Sequence, residues 1–94
     1  MHGVPVRWQE LPLMEEEVLI VRDCGRMLFD FHKSIFEKVV ARYIGALEPV
    51  SIEERGDRVV VELDAEKGEE LRAWLLLNLG KGFFITELES LDLT

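Results

Sequence analysis

The stretch that most constrains this chain is Val50 to Asp64, VSIEERGDRVVVELD, in which two alternating apolar runs flank Gly56-Asp57. Period-two alternation on either side of such a pair predicts a β-hairpin with a two-residue turn. Glycine at the first central position predicts a type II′ turn, because that site needs the positive φ that glycine adopts freely. The register follows, with Ile52 opposite Val61 and Val50 opposite Leu63. Everything else is expected to pack on this hairpin or pair with it.

Upstream, Val4, Val6 and Trp8 alternate with Pro5, Arg7 and Gln9. That permits an extended segment, but proline restricts it to a sheet edge. Leu11 to Met14 passes into Glu15-Glu16-Glu17, a loop whose acidity reads as solvated surface. Residues 1–16 are therefore expected to form a loosely structured leader to a single domain spanning 1–94.

Val18 to Asp23, VLIVRD, is rich in β formers, and two readings diverge after it. In the first, Asp23-Cys24-Gly25-Arg26 is a turn, Met27 to Phe31 a second strand, and a helix begins near Ser34. In the second, a helix runs from Asp23 to Leu47 and yields the βαββαβ order of a ferredoxin-like domain. Ser34 followed by Glu37 has the form of a capping box, which favours the first reading. The longer helix would span about 35 Å and overhang strands of roughly 20 to 24 Å. Leu28, Phe31, Ile35 and Val39 also fit helical spacing, so the second reading keeps some support.

From Ser34, the residues Ile35, Phe36, Val39, Val40, Tyr43, Ile44 and Leu47 form one apolar face, and Pro49 ends the helix. Asp64 is placed to cap a second helix, with Glu66, Glu69 and Glu70 loading its first turns with negative charge. That helix runs through Leu71, Trp74 and Leu75 to a glycine stop at Gly80, and Gly82 to Leu88 reads as a final strand. A shift of 32 residues lays Val18–Leu47 over Val50–Leu79 with six identities in thirty positions. This hints at two hairpin-helix units.

The expected fold is α+β: a two-layer sandwich with an antiparallel sheet, two helices on one face, and ββαββαβ order. Val18, Ile20, Met27, Phe29 and Phe31 share the helix-covered face with Val50, Ile52, Val59, Val61 and Leu63. The opposite face carries Leu19, Val21, Leu28 and Val60, with Phe83 or Phe84, among Asp30, Glu53 and Glu62. Such a contiguous patch calls for a cover, either the N-terminal segment or a second copy of the chain. The second helix is also apolar beyond one face. These features predict a homodimer, with Leu19, Val21, Leu28, Val60, Leu76 and Phe84 as interface residues.

The chemistry-bearing residues form no coherent catalytic set. Cys24 and His32 are the obvious nucleophile and base, but either reading separates them by roughly 12 Å or more. One cysteine and two histidines exclude a disulfide framework and leave few metal ligands. Gly80-Lys81-Gly82 lacks the spacing of a P-loop and follows a helix rather than opening one. A net charge of −8 with scattered basic residues argues against nucleic acid. No apolar run approaches the ~20 residues of a membrane span, and the N-terminus lacks signal-peptide form, so the chain is expected to be cytoplasmic. Glutamine and asparagine occur only at Gln9 and Asn78, a composition resembling that of heat-adapted proteins. The expected function is a non-enzymatic protein-interaction or regulatory module that self-associates, with no cofactor. The alternative is a small-ligand sensor whose interface pocket is lined by Tyr43, Trp74 and Phe83.

Overall fold

The computed structural model describes residues 16–79 and 82–89. The segment around Val4, Val6 and Trp8, and Gly80 and Lys81, lie outside the described residues. Five strands and two helical segments form an α+β fold. The strands are β1 (Glu17–Asp23), β2 (Arg26–His32), β3 (Ser51–Arg55), β4 (Arg58–Asp64) and β5 (Phe84–Glu89). Helical segment α1 covers residues 33–47, and α2 is Ala65–Asn78. Met27 to Phe31 is thus strand.

Both hairpins close on two-residue turns, but of different type. Gly56 has φ +60°, as a type II′ turn requires, whereas Cys24 and Gly25 both have positive φ, +44° and +82°, as in type I′. Ile52 pairs with Val61 as its alternation predicts. The sheet order is β3-β4-β2-β1-β5. Here the expectation of an antiparallel sheet is corrected: β1 and β5 are parallel, so the sheet is mixed. The cause is the return through α2, which brings β5 back in the direction of β4. Strand β1, two places from β4 in the sheet, already runs that way.

The strand alternation delivers one apolar face intact. Phe29 lies between Ile20 and Val61, and Phe31 between Val18 and Val59. These residues, with Met27 and Leu63, form a single core with Ile35, Val40, Ile44 and Leu47 of α1 and Leu71, Leu75 and Leu79 at α2. Both helices therefore cover the same face. Strand β3 lies outside that cover: all five of its residues are exposed, and Ile52 remains 45% exposed. It is an edge strand carrying Glu53, Glu54 and Arg55, charges that discourage further pairing.

Segment α1 does not begin as the capping-box pattern suggests. His32 is the N-cap, with extended backbone, and its ring Nδ1 accepts from the Ser34 amide at 3.3 Å and contacts the Ser34 hydroxyl at 3.0 Å. The ring nitrogen takes the capping role one residue before the helix, so Ser34 and Glu37 lie inside it. The segment changes pitch along its length: an α turn, a π turn at Phe36–Val40, another α turn, then a 3-10 turn at Gly45–Leu47. Glu48 then adopts a left-handed conformation ahead of Pro49.

Helix α2 starts as expected, with the Asp64 carboxylate accepting from the Lys67 amide at 2.9 Å. Backbone bonds tie each helix start to the other unit's turn. The Lys33 amide donates to Asp57, and the Ala65 amide donates to Gly25. Helix α2 lies close to β2 at Gly68, where an added Cβ would come within 2.7 Å of the Met27 Cβ.

Candidate functional site

Strand β5 and the flank of α2 beside it make up the most open apolar region of the described surface. Entry to β5 turns at Gly82, with φ +95°, and the Phe84 amide donates to the Glu16 carbonyl. Alternation then sends Ile85 and Glu87 to the helix side, and Phe84 and Thr86 to the other. Thr86 Oγ1 donates to Glu17 at 2.8 Å. Phe84 is 61% exposed, and on the helix side Leu76 is 58% exposed. Leu77 projects away from the core altogether. A cleft of about 290 Å³ lies between strand and helix, lined by Leu76, Leu79, Phe83, Ile85 and Glu87.

Charged groups clamp that edge. Glu87 accepts two bonds from Arg72 of α2, each 3.0 Å, and another from Arg22 of β1, which also reaches Glu69. The Arg72 guanidinium, then that of Arg22, holds the Glu87 carboxyl below its usual range. Glu87 thus ties strand to helix without leaving a bare charge beside the cleft.

A second cleft, of about 260 Å³, lies near the opening of β1. It is lined by Glu16, Ser34, Ile35, Lys38, Val39 and Phe83. Ile35 and Val39 come from α1, one on either side of the start of the π turn.

The sheet face away from the helices has a buried centre. Leu19, Val21 and Val60 are 2–7% exposed, Leu28 is half-buried, and Asp30 lies between Leu19 and Val60 at 1% exposure. Arg58 meets Asp30 in a two-pronged pair, Nε on Oδ1 at 3.0 Å and Nη2 on Oδ2. Burial pushes the Asp30 carboxyl up, and the Arg58 guanidinium opposes that rise. At the strand end, Arg26 pairs with Glu62. The pair at Asp30 is the feature that sequence reading missed. The only signal was an aspartate set among β formers in RMLFDFH.

The residues singled out from sequence separate into groups. Of the expected interface set, Leu76 and Phe84 are exposed on the β5 flank, while Leu19, Val21 and Val60 are buried within the chain itself. Tyr43 and Trp74 do come together, their rings stacked 4.5 Å apart and 6° from parallel, but they fill the seam between the helices against each other. Phe83 lines both clefts, in which neither Tyr43 nor Trp74 takes part. Cys24 is exposed in the β1–β2 turn, and His32 stands at the far end of β2, roughly 20 Å away along the strand. Among the described residues no cluster of His, Cys, Asp or Glu could hold a metal ion. Nor is any described helix long and apolar enough to cross a membrane.

No family model, curated protein or solved structure matches this chain.

Proposed function

We propose that this chain is a non-enzymatic protein-interaction module that self-associates through β5 and the adjoining flank of α2. The observation that carries the reading is that, among the described residues, β5 ends the sheet and is hydrogen-bonded to β1 alone, with exposed Phe84 on one side and exposed Leu76 on the other. An edge strand offers a row of backbone donors and acceptors, and apolar side chains on both faces give a partner strand something to bury. The opposite edge, β3, is lined by ion pairs, Lys33 with Glu54 and Arg55 with Glu53, and is the poorer template. A second copy of the chain satisfies the geometry most simply, because two β5 strands can pair antiparallel about a two-fold axis and bring Leu76 against its own counterpart.

From β2 onward the element order is βαββαβ, with β1 inserted between β2 and β5 in the sheet. That topology carries no function of its own.

Sedimentation equilibrium at micromolar concentration tests the proposal. The chain is expected to sediment with twice the mass of one copy, and Leu76→Glu combined with Phe84→Glu is expected to return it to one copy with unchanged far-UV circular dichroism. A single-copy mass for the unaltered chain refutes self-association. A dimer that survives both substitutions refutes this surface.

A further inference from the structure

We propose that the cleft beside the start of β1 binds a small zwitterion, an α-amino acid with an apolar side chain. Three separate parts of the chain converge there: Glu16 ahead of β1, residues Ser34 to Val39 of α1, and Phe83 ahead of β5. Its volume of about 260 Å³ falls just under the range of about 300–1,000 Å³ typical of drug-sized ligands, so the occupant is small. Ile35, Val39 and Phe83 provide apolar wall, while Lys38 and Glu16 bring opposite charges and Ser34 a hydroxyl.

Most of the described basic side chains are committed to carboxylates, whereas Lys38, Arg42 and Lys67 form no ion pair with a described residue, and of these Lys38 lines the cleft. Arg22, Arg26, Lys33, Arg55, Arg58 and Arg72 each hold a carboxylate of the chain. Neither Lys38 nor Glu16 forms an ion pair with a described residue. A simple anion meets Glu16, and a simple cation meets Lys38. A molecule carrying both charges answers both groups and lays its side chain on the apolar wall. Lys38 and Val39 are also carried by the π turn at Phe36–Val40. Single π turns inside helices are uncommon and occur frequently at functional sites, where they re-aim side chains. The inference stands independently of self-association.

An amide NMR titration of the full chain with L-leucine and L-phenylalanine is the test. The expected result is a saturable shift centred on Ile35, Val39 and Phe83. Affinity should fall about tenfold or more for 4-methylpentanoate, which lacks the ammonium, and for isopentylamine, which lacks the carboxylate. Lys38→Met and Glu16→Gln should each weaken leucine binding similarly, and the dispersed spectrum of each variant reports whether it remains folded. No saturable shift with either amino acid up to roughly 10 mM, well beyond ordinary metabolite affinities, overturns the proposal. Equal binding of one of the analogues, or unchanged binding in both variants, also overturns it.

Discussion

Replacing Arg58 with methionine should cost this domain a large share of its stability, and the loss should depend on pH in a defined direction. Asp30 is 1% exposed and its carboxylate is engaged by the Arg58 guanidinium through both oxygens. Removing one partner of a buried pair leaves the other charge uncompensated, at a cost of about 3–5 kcal/mol. Arg58 keeps some solvent contact, 18% of its side-chain surface, which places the expectation at the low end, about 3 kcal/mol. A chain of 94 residues has a total stability of roughly 5–14 kcal/mol, so the fraction lost is substantial. Burial already raises the Asp30 carboxyl, and the variant removes the guanidinium that opposes the rise. Its folded pKa therefore climbs further above the unfolded value of about 3.9. A raised folded pKa means the native state holds its proton more tightly, so stability falls as pH increases through that window. The gap between the two proteins should be smaller at pH 4 than at pH 7, because protonation of Asp30 removes the uncompensated charge that burdens the variant. Urea unfolding followed by circular dichroism at both pH values measures it. With a slope of about 1.5 kcal/mol per molar, the midpoint at pH 7 should drop by roughly 2 M. Replacing both partners, Asp30→Leu with Arg58→Met, should recover most of the loss. A loss under about 1 kcal/mol that is equal at both pH values would refute the reasoning, since that is how a solvated surface pair behaves.

Gly68→Ala should destabilise despite alanine's better helix propensity of about 1 kcal/mol, because the new methyl meets the Met27 side chain at its Cβ as well as its flexible end. Overpacking of that kind costs about 1–3 kcal/mol, and a thermal unfolding midpoint that rises would sink the close-approach argument. Glu87→Gln should remove on the order of 0.5–1 kcal/mol at neutral pH, the ordinary worth of a partly exposed pair. Because Arg72 and Arg22 depress the Glu87 carboxyl, its contribution is present above the unfolded pKa of about 4.3 and is lost as pH falls through the lower folded value. The difference between wild type and variant in urea titrations should accordingly diminish as pH falls below that unfolded value and shrink in about 1 M salt.

Much of the scaffold is legible wherever local chemistry decides the outcome. Gly56 marks its turn because few other residues tolerate the required φ. Asp64 marks the start of α2 because its carboxylate reaches the Lys67 amide three residues on. The alternation of Val18, Ile20, Phe29, Phe31, Val59 and Val61 identifies the helix-covered face because a strand's side chains alternate strictly. The start of α1 is less legible. Ser34 and Glu37 look like a cap, yet His32 closes the turn, a role available to it only because β2 ends there in extended backbone.

The candidate sites depend on contacts far apart in sequence, and these leave weaker traces. Asp30 and Arg58 are 28 positions apart, and only the β2–β4 register brings them to one place. Lys38, Glu16 and Phe83 meet because α1, the start of β1 and the entry to β5 gather at one end of the sheet.

By itself the sequence determined the two hairpins, the approximate extent of both helices and the face they cover, because turn conformation, capping and side-chain periodicity act over a few residues. The tertiary structure alone decided that β5 pairs parallel with β1 and that Leu19, Val21 and Val60 are buried. Those outcomes depend on which strand lies beside which, and strand order is a competition among whole-chain packings that no local pattern records.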